Sequence, residues 1–161
     1  MTTPRAAPEL DVVEWLNTPE RLLLAGLEGR VVVMEAFQML CPGCAQVALP
    51  QLARVHEHFA PQGVVVIGVH TVFEHHEAQG SRTALEAFLH EYRYTFPVGI
   101  DRPPDERPGI PRTMQAYGMQ GTPTLVLIDR RGRLRRQAFG HVPDIRAGAE
   151  IASLLCEPPE A

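Results

Sequence analysis

The sequence predicts one α/β domain in which apolar strands alternate with amphipathic helices. Residues 31–37 form a continuous apolar, β-branched run, and residues 42–59 follow it with apolar side chains at helical spacing. Residues 64–69 are a second apolar run, of the kind that is buried on both faces of a parallel sheet. A strand, a crossover helix and a second strand make a right-handed βαβ unit. With 161 residues, the chain can bury a full core without a disulfide framework.

The remaining elements follow from periodicity, capping residues and turn signals. The chain predicts, in order, a helix over 81–94 with Ser81 as its N-cap, a short edge strand over 96–101, a loop over 102–111, a short helix over 113–117, a β-hairpin from 124–129 to 134–139, and a final helix capped by Asp144. Pro50 lies inside the helix over 42–59 and is expected to kink it. Residues 1–9 and 157–161 are expected to be loosely ordered tails of this single domain over 1–161.

Composition and charge exclude several classes of function. The net charge of −4 does not suit electrostatic binding of nucleic acid. The arginine-rich stretch 130–136 is interpreted as a solvated hairpin tip. No segment offers the ~20 apolar residues of a membrane helix or the apolar region of an export signal. We therefore expect a cytoplasmic protein with neither a membrane nor a nucleic acid as partner.

The pair Cys41 and Cys44 carries the clearest chemical signal. A strand that leads into a helix through C-x-x-C places Cys41 at the helix N-cap, where free N–H groups and the helix dipole favour a thiolate. Pro42 suits the first helical position because its missing N–H has no partner to lose there. A zinc site would need two more ligands at suitable spacing, and the sequence has no second C-x-x-C and no H-x3-H. The pattern therefore indicates thiol–disulfide chemistry without a metal, and Cys156 is expected to be a buried apolar filler.

Three local motifs carry a family resemblance. They are F-Q-M-L-C-P-G-C at 37–44, G-T-P-T at 121–124 and L-I-D-R-R-G at 127–132. With them the chain resembles the TlpA/ResA-like thiol–disulfide oxidoreductases over residues 8–155. The resemblance implies a thioredoxin-like fold, which is a mixed central sheet flanked by helices, here with an αβ insertion after the second core strand.

The resemblance also implies roles for the residues of these motifs. Cys41 would attack a disulfide and Cys44 would resolve the mixed disulfide, with no cofactor and with a partner reductase to recycle the pair. A cis bond before Pro123 would face the cysteines, and the backbone of Thr122 would bind an extended substrate segment. Leu40, Pro42 and Gly43 would complete the substrate contacts. Leu40 stands where the family usually has tryptophan, and Met39 stands where an aromatic residue is usual, so aliphatic groups would replace an aromatic platform.

Glu35 is the candidate proton acceptor. It lies in the apolar run six residues before Cys41, at a position where thioredoxins carry a buried acid. Burial would raise its pKa and allow it to take the proton of Cys44 during resolution. The alternative is a structural acid, paired with an arginine or facing a water-filled gap. His70 ends the second predicted strand at the edge where ligands bind in such sheets, although a structural role is favoured for it.

Two other functions are weighed against disulfide reduction. A peroxiredoxin-like thiol peroxidase would need a proline and a threonine or serine upstream of the cysteine, where Met34 and Gln38 stand. A binding or chaperone module with weak redox activity is favoured by the missing tryptophan and opposed by the intact Cys41, Cys44 and Glu35. Disulfide reduction remains the leading hypothesis.

Overall fold

A computed structural model describes residues 4–159, and a mixed seven-stranded sheet lies at its centre, in the order β1-β7-β6-β3-β4-β5-β2. The strands are β1 (Arg5–Ala6), β2 (Val12–Leu16), β3 (Val32–Phe37), β4 (Val65–His70), β5 (Val98–Asp101), β6 (Thr124–Ile128) and β7 (Arg133–Phe139). β3 is parallel to β4 and antiparallel to β6. The predicted βαβ unit and β-hairpin are therefore both present, and the expectation of a mixed sheet is confirmed.

Five helices flank the sheet in the described residues. They are α1 (Leu49–Phe59, preceded by a π-helical stretch at Cys44–Ala48), α2 (His76–Gln79), α3 (Arg82–Glu91), α4 (Arg112–Tyr117) and α5 (Asp144–Cys156). Ser81 caps α3 as expected, because its side chain accepts the Ala84 N–H. Asp144 does not cap α5; its carboxylate instead accepts hydrogen bonds from Gln51 and Arg54 on α1. The helices α2 and α3 lie between β4 and β5, which confirms the predicted insertion after the second core strand.

The core lies on both faces of the sheet. Because side chains alternate along a strand, Val33 and Phe37 of β3 pack with Cys44 and the apolar stripes of α1, α3 and α5. Val32 and Met34 point the other way, towards α4 and the N-terminal segment. All six residues of β3 are buried, as the sequence run predicted.

The turn before Pro50 differs from a simple kink. Residues 42 and 43 are helical directly after Cys41, the next five form a π-helical stretch, and regular α-helix follows. A proline ring collides with the carbonyl four residues before it, and a widened turn relieves that collision. The Leu49 N–H bonds to the carbonyl of Cys44, so the wide turn begins at Cys44.

β5 is an interior strand, so its prediction as an edge strand is wrong. It pairs with β4 on one side and with β2 on the other. The N-terminal segment supplies the covering strand, and Pro97 stands just before the paired residues. The strand can be interior because its proline precedes the paired residues and contributes only its carbonyl, which accepts the Gly68 N–H at 2.9 Å.

The predicted N-terminal tail makes contacts with the rest of the fold where the structure describes it. β1 pairs with β7, and the Glu9 carboxylate accepts the N–H groups of Leu24 and Ala25. Residues 1–3 and 160–161 of the predicted tails lie outside the described residues.

The arginine-rich hairpin is an ion-pair network, which corrects the expectation of a solvated tip. Arg133 and Arg135 both bond to the buried carboxylate of Asp129. Arg135 also pairs with Glu157, so the hairpin is tied to the end of α5. None of the helices in residues 4–159 is long and apolar enough to cross a membrane.

Candidate active site

The C-x-x-C segment and the segment before β6 meet at one edge of the sheet because of strand direction. β3 ends at Phe37 and the chain passes through residues 38–40 to Cys41. β6 runs antiparallel to β3, with Thr124 opposite Ala36. Residues that precede β6 therefore lie beside residues that follow β3, although they are some eighty positions apart.

Cys41 occupies the start of the helix, as predicted. Its side chain is half-buried, and its Sγ accepts the N–H of Cys44 at 3.3 Å. This bond uses one of the free N–H groups of the first helical turn, which stabilise negative charge on sulfur. The thiol also lies 3.5 Å from the carbonyl oxygen of Thr122, to which it donates. Cys41 is thus the accessible sulfur of the pair.

Cys44 is fully buried beneath Cys41. Burial raises the pKa of the Cys44 thiol far above its usual range, and the neighbouring Cys41 thiol raises it further. Hydrogen bonds from the Gln38 backbone and the Thr122 side chain oppose that rise in pKa without cancelling it. Both thiols are free in this structure, and of the two only Cys41 is partly exposed.

The Thr122–Pro123 bond is cis, as the family resemblance implied. Gly43 lies against this segment: a Cβ on Gly43 would stand 3.5 Å from the Pro123 ring. The Gly140 N–H bonds to the Pro123 carbonyl at 2.9 Å, and this bond anchors the segment to the end of β7. The structure therefore brings together Cys41, Gly43, Thr122 and Pro123, while their roles towards a substrate stay predictions.

Glu35 is buried among apolar groups, as its place in the strand predicted. Only 2% of its surface is exposed, and Oε1 has no hydrogen-bond partner among the described residues. It shares the face of β3 with Val33 and Phe37, which pack in the same cluster as Cys44. Burial raises its pKa from 4.5 to about 8. The alternative of an acid paired with arginine does not fit these contacts.

His70 lies behind the active-site loop in a structural position. Its ring packs on Phe37 at 5.1 Å between centroids, and its Nε2 accepts the Met39 N–H at 3.4 Å. Burial lowers the pKa of His70 to about 4, so the neutral ring that accepts this N–H is favoured.

Two buried glutamines hold the loop, and sequence reasoning did not select them for a role. Gln38 bonds to Thr122 and to the Phe73 N–H, and Gln79 bonds to Gln38 and to the Leu40 N–H. No local pattern marks Gln79, because it reaches the site from the insertion. The burial of Gln38 could have been suspected only from its place at the end of an apolar strand.

An aromatic side chain stands beside the site despite the missing tryptophan. Phe139 is 56% exposed, and its ring lies over Gly121, where a Cβ would meet it at 3.0 Å. Leu40, the residue directly before Cys41, is 54% exposed. The aromatic surface thus comes from the end of β7, which the sequence did not indicate.

Cys156 is exposed, so its prediction as a buried filler is wrong. It is the last residue of α5, where the side chain no longer faces the sheet. Across residues 4–159 no three His, Cys, Asp or Glu side chains lie close enough to hold a metal ion.

Comparison with known proteins agrees with this geometry. Residues 5–137 match the AhpC/TSA family. The chain is 27% identical over 115 residues to the thiol-disulfide oxidoreductase ResA of Halalkalibacterium halodurans, which covers 71% of this chain and 57% of that protein. It is 29% identical over 140 residues to the protein DipZ of Mycobacterium bovis, which covers 83% of this chain and 18% of DipZ. The chain thus spans only part of these two relatives.

Two solved structures are similar over nearly their whole length. A thioredoxin-like superfamily protein superposes with a TM-score of 0.92 at 52% identity, covering 97% of this chain and 99% of that one. A thiol-disulfide isomerase from Corynebacterium glutamicum gives 0.88 at 45% identity, covering 94% and 98%. The chain therefore belongs to the AhpC/TSA family, as a thioredoxin-like protein related to ResA.

Proposed function

We propose that this protein is a thiol–disulfide oxidoreductase that reduces disulfides through Cys41 and Cys44. One observation carries the proposal: a half-exposed sulfur accepts a helix N-terminal N–H, and a second, fully buried sulfur lies directly behind it. An accessible nucleophile backed by a protected thiol suits a two-step exchange through a mixed disulfide.

In the first step, the Cys41 thiolate attacks one sulfur of a substrate disulfide. A bond forms between Cys41 Sγ and that sulfur, the substrate S–S bond breaks, and the leaving sulfur departs as a thiolate that takes up a proton. The Cys44 N–H, 3.3 Å from Cys41 Sγ, stabilises the attacking charge before the step. As a thiolate, Cys41 no longer donates to the Thr122 carbonyl, which is then available to an extended substrate segment.

In the second step, Cys44 loses its proton and attacks Cys41 Sγ. The intramolecular disulfide forms, the mixed disulfide breaks, and the second substrate thiol is released. The buried Glu35 on the same face of β3 is the candidate acceptor of the Cys44 proton, because a pKa of about 8 allows exchange near neutral pH. A dithiol reductase must then return two electrons and two protons to the Cys41–Cys44 disulfide.

The substrate is proposed to be a protein or small-molecule disulfide with apolar groups near its sulfurs. Leu40 and Phe139 both expose more than half of their surface beside the cysteine and proline segments. Such apolar surface next to a reactive sulfur favours binding of an apolar segment. A reducing compartment such as the cytoplasm is also part of the proposal. Of the three cysteines, Cys41 and Cys44 form the redox pair, so the exposed Cys156 has no partner cysteine for a disulfide.

An insulin-reduction assay tests the proposal. The wild type should reduce insulin disulfides with a dithiol as reductant, Cys41→Ser should abolish the activity, and the matched control Cys156→Ser should retain it. Activity that survives Cys41→Ser would overturn the assignment.

Peroxide consumption by the same three proteins tests the peroxidase alternative. We expect little consumption relative to disulfide reduction, since Gln38 stands in place of the hydroxyl residue that such a peroxidase needs. Rapid peroxide consumption with no reduction of insulin would reverse the choice between the two functions.

A further inference from the structure

The side chains of Gln79, Gln38 and Thr122 form a continuous hydrogen-bonded line that ends at the candidate active site. Gln79 Nε2 donates to Gln38 Oε1 at 3.1 Å, and Gln38 Nε2 donates to Thr122 Oγ1 at 3.3 Å. Both glutamines expose only 1% of their surface. The line begins in α2, which belongs to the insertion, and crosses to the segment that holds Pro123.

Main-chain groups determine the direction of every bond in the line. The Leu40 N–H donates to the amide oxygen of Gln79 at 3.0 Å, and the amide nitrogen of Gln79 donates to the Glu74 carbonyl at 2.8 Å. Gln79 must therefore present its oxygen to Leu40 and its nitrogen to Gln38. The Phe73 N–H donates to Gln38 at 3.1 Å, so the amide oxygen of Gln38 faces Phe73 and its nitrogen faces Thr122. Exchanging oxygen and nitrogen in either amide would set donor against donor.

The last member of the line therefore has a hydroxyl proton to give. Thr122 Oγ1 already accepts a hydrogen from Gln38, and a hydroxyl carries one proton of its own to donate. The Thr122 side chain lies close enough to Cys44 to lower the pKa of that thiol. All donors in the line thus point from the insertion towards Thr122, whose backbone carbonyl lies 3.5 Å from Cys41 Sγ.

We infer that Gln79 and Gln38 are positioning residues, which aim the Thr122 hydroxyl at Cys44 and stabilise the thiolate that forms there in the second step. The inference rests on the proposed function, because it concerns the resolving sulfur of that reaction. A donor chain inside a protein strengthens its terminal hydrogen bond, since each member polarises the next. Cys44 is the sulfur in need of such help, because it is fully buried and far from solvent.

The test measures release of a preformed Cys41 mixed disulfide in rapid mixing. Thr122→Val and Gln38→Leu should each slow release roughly tenfold, the loss expected when a thiolate gives up a hydrogen bond worth about one pKa unit. Thr122→Ser should restore the wild-type rate, because it keeps the hydroxyl. Gln51→Leu is the matched control: Gln51 is also buried, but it bonds to Val142 and Asp144 and should leave release unchanged.

A double variant separates positioning from general loss of packing. If Gln38 acts through the Thr122 hydroxyl, Gln38→Leu in the Thr122→Val background should cause no further slowing. The inference would be overturned if the two substitutions slowed release independently, so that their effects multiplied, or if Thr122→Val released the mixed disulfide at the wild-type rate. Should Gln38→Leu fail to fold, Gln79→Leu takes its place in the same comparison, and a wild-type rate in Thr122→Val would still overturn the inference.

The failure of the proposed function would look different. In that case the wild type itself would form no mixed disulfide at Cys41 or would not resolve it. If the wild type releases the mixed disulfide normally and the Thr122 and Gln38 variants release it at the same rate, the positioning role is rejected and the oxidoreductase proposal stands.

Discussion

Replacing Glu35 by glutamine should remove most of a pH dependence of stability that the buried carboxyl imposes on this fold. The folded protein holds the Glu35 proton with a pKa of about 8, whereas the ordinary value is 4.5. Because the folded pKa is the higher one, the stabilising contribution is complete below pH 4.5 and is lost as the pH rises through about 8.

The magnitude follows from the size of the shift. Each pH unit between these two values changes the free energy of unfolding by about 1.4 kcal/mol, so the wild type should lose about 4 kcal/mol between pH 5 and pH 8 from this group. Glu35→Gln keeps the size and shape of the side chain but cannot titrate. The variant should therefore become progressively more stable than the wild type over this range.

Urea unfolding at several pH values, followed by fluorescence, measures the difference. The exposed Glu57, on α1, provides the control variant Glu57→Gln, whose stability should follow the wild-type curve. A constant difference between wild type and Glu35→Gln from pH 5 to pH 8 would show that the carboxyl is not held protonated by burial, and would refute the reasoning.

Three further outcomes are expected. In a Cys156→Ser background, iodoacetamide should label Cys41 well before Cys44, as mass spectrometry of the reduced protein would show; equal labelling would contradict the assignment of the nucleophile. Glu35→Gln should slow release of the mixed disulfide and leave the first attack by Cys41 almost unchanged, and equal release rates from pH 6 to 9 would make Glu35 structural only. His70→Gln should make stability depend less on pH below neutrality. The pKa of His70 is about 4 in the folded protein against an ordinary value of 6.5, so the wild type should lose about 3 kcal/mol of unfolding free energy as the pH falls through that range. An unchanged pH dependence in the variant would argue against a buried neutral ring.

Short-range pattern in the sequence determined the position of the two cysteines and of Glu35. The apolar run before C-x-x-C places Cys41 at the start of a helix and Cys44 one turn inside it, and both are found there. The same run predicted the burial of Glu35, because every side chain of a central strand is covered on one face or the other. These features depend only on neighbours in the chain, which a periodicity records.

The tertiary structure alone decided the surroundings of the two sulfurs. Gln79 meets Leu40 across 39 positions, and the Phe139 ring reaches Gly121 from the far end of a hairpin. β5 became an interior strand only because the N-terminal segment pairs with it, and Cys156 is exposed because α5 ends where its side chain points away from the sheet. Contacts of this kind depend on strand pairing and on the path of the insertion, and a buried amide leaves no periodic trace in a sequence. The order of residues therefore specifies the thiol pair, while strand pairing in the folded chain specifies which groups surround it.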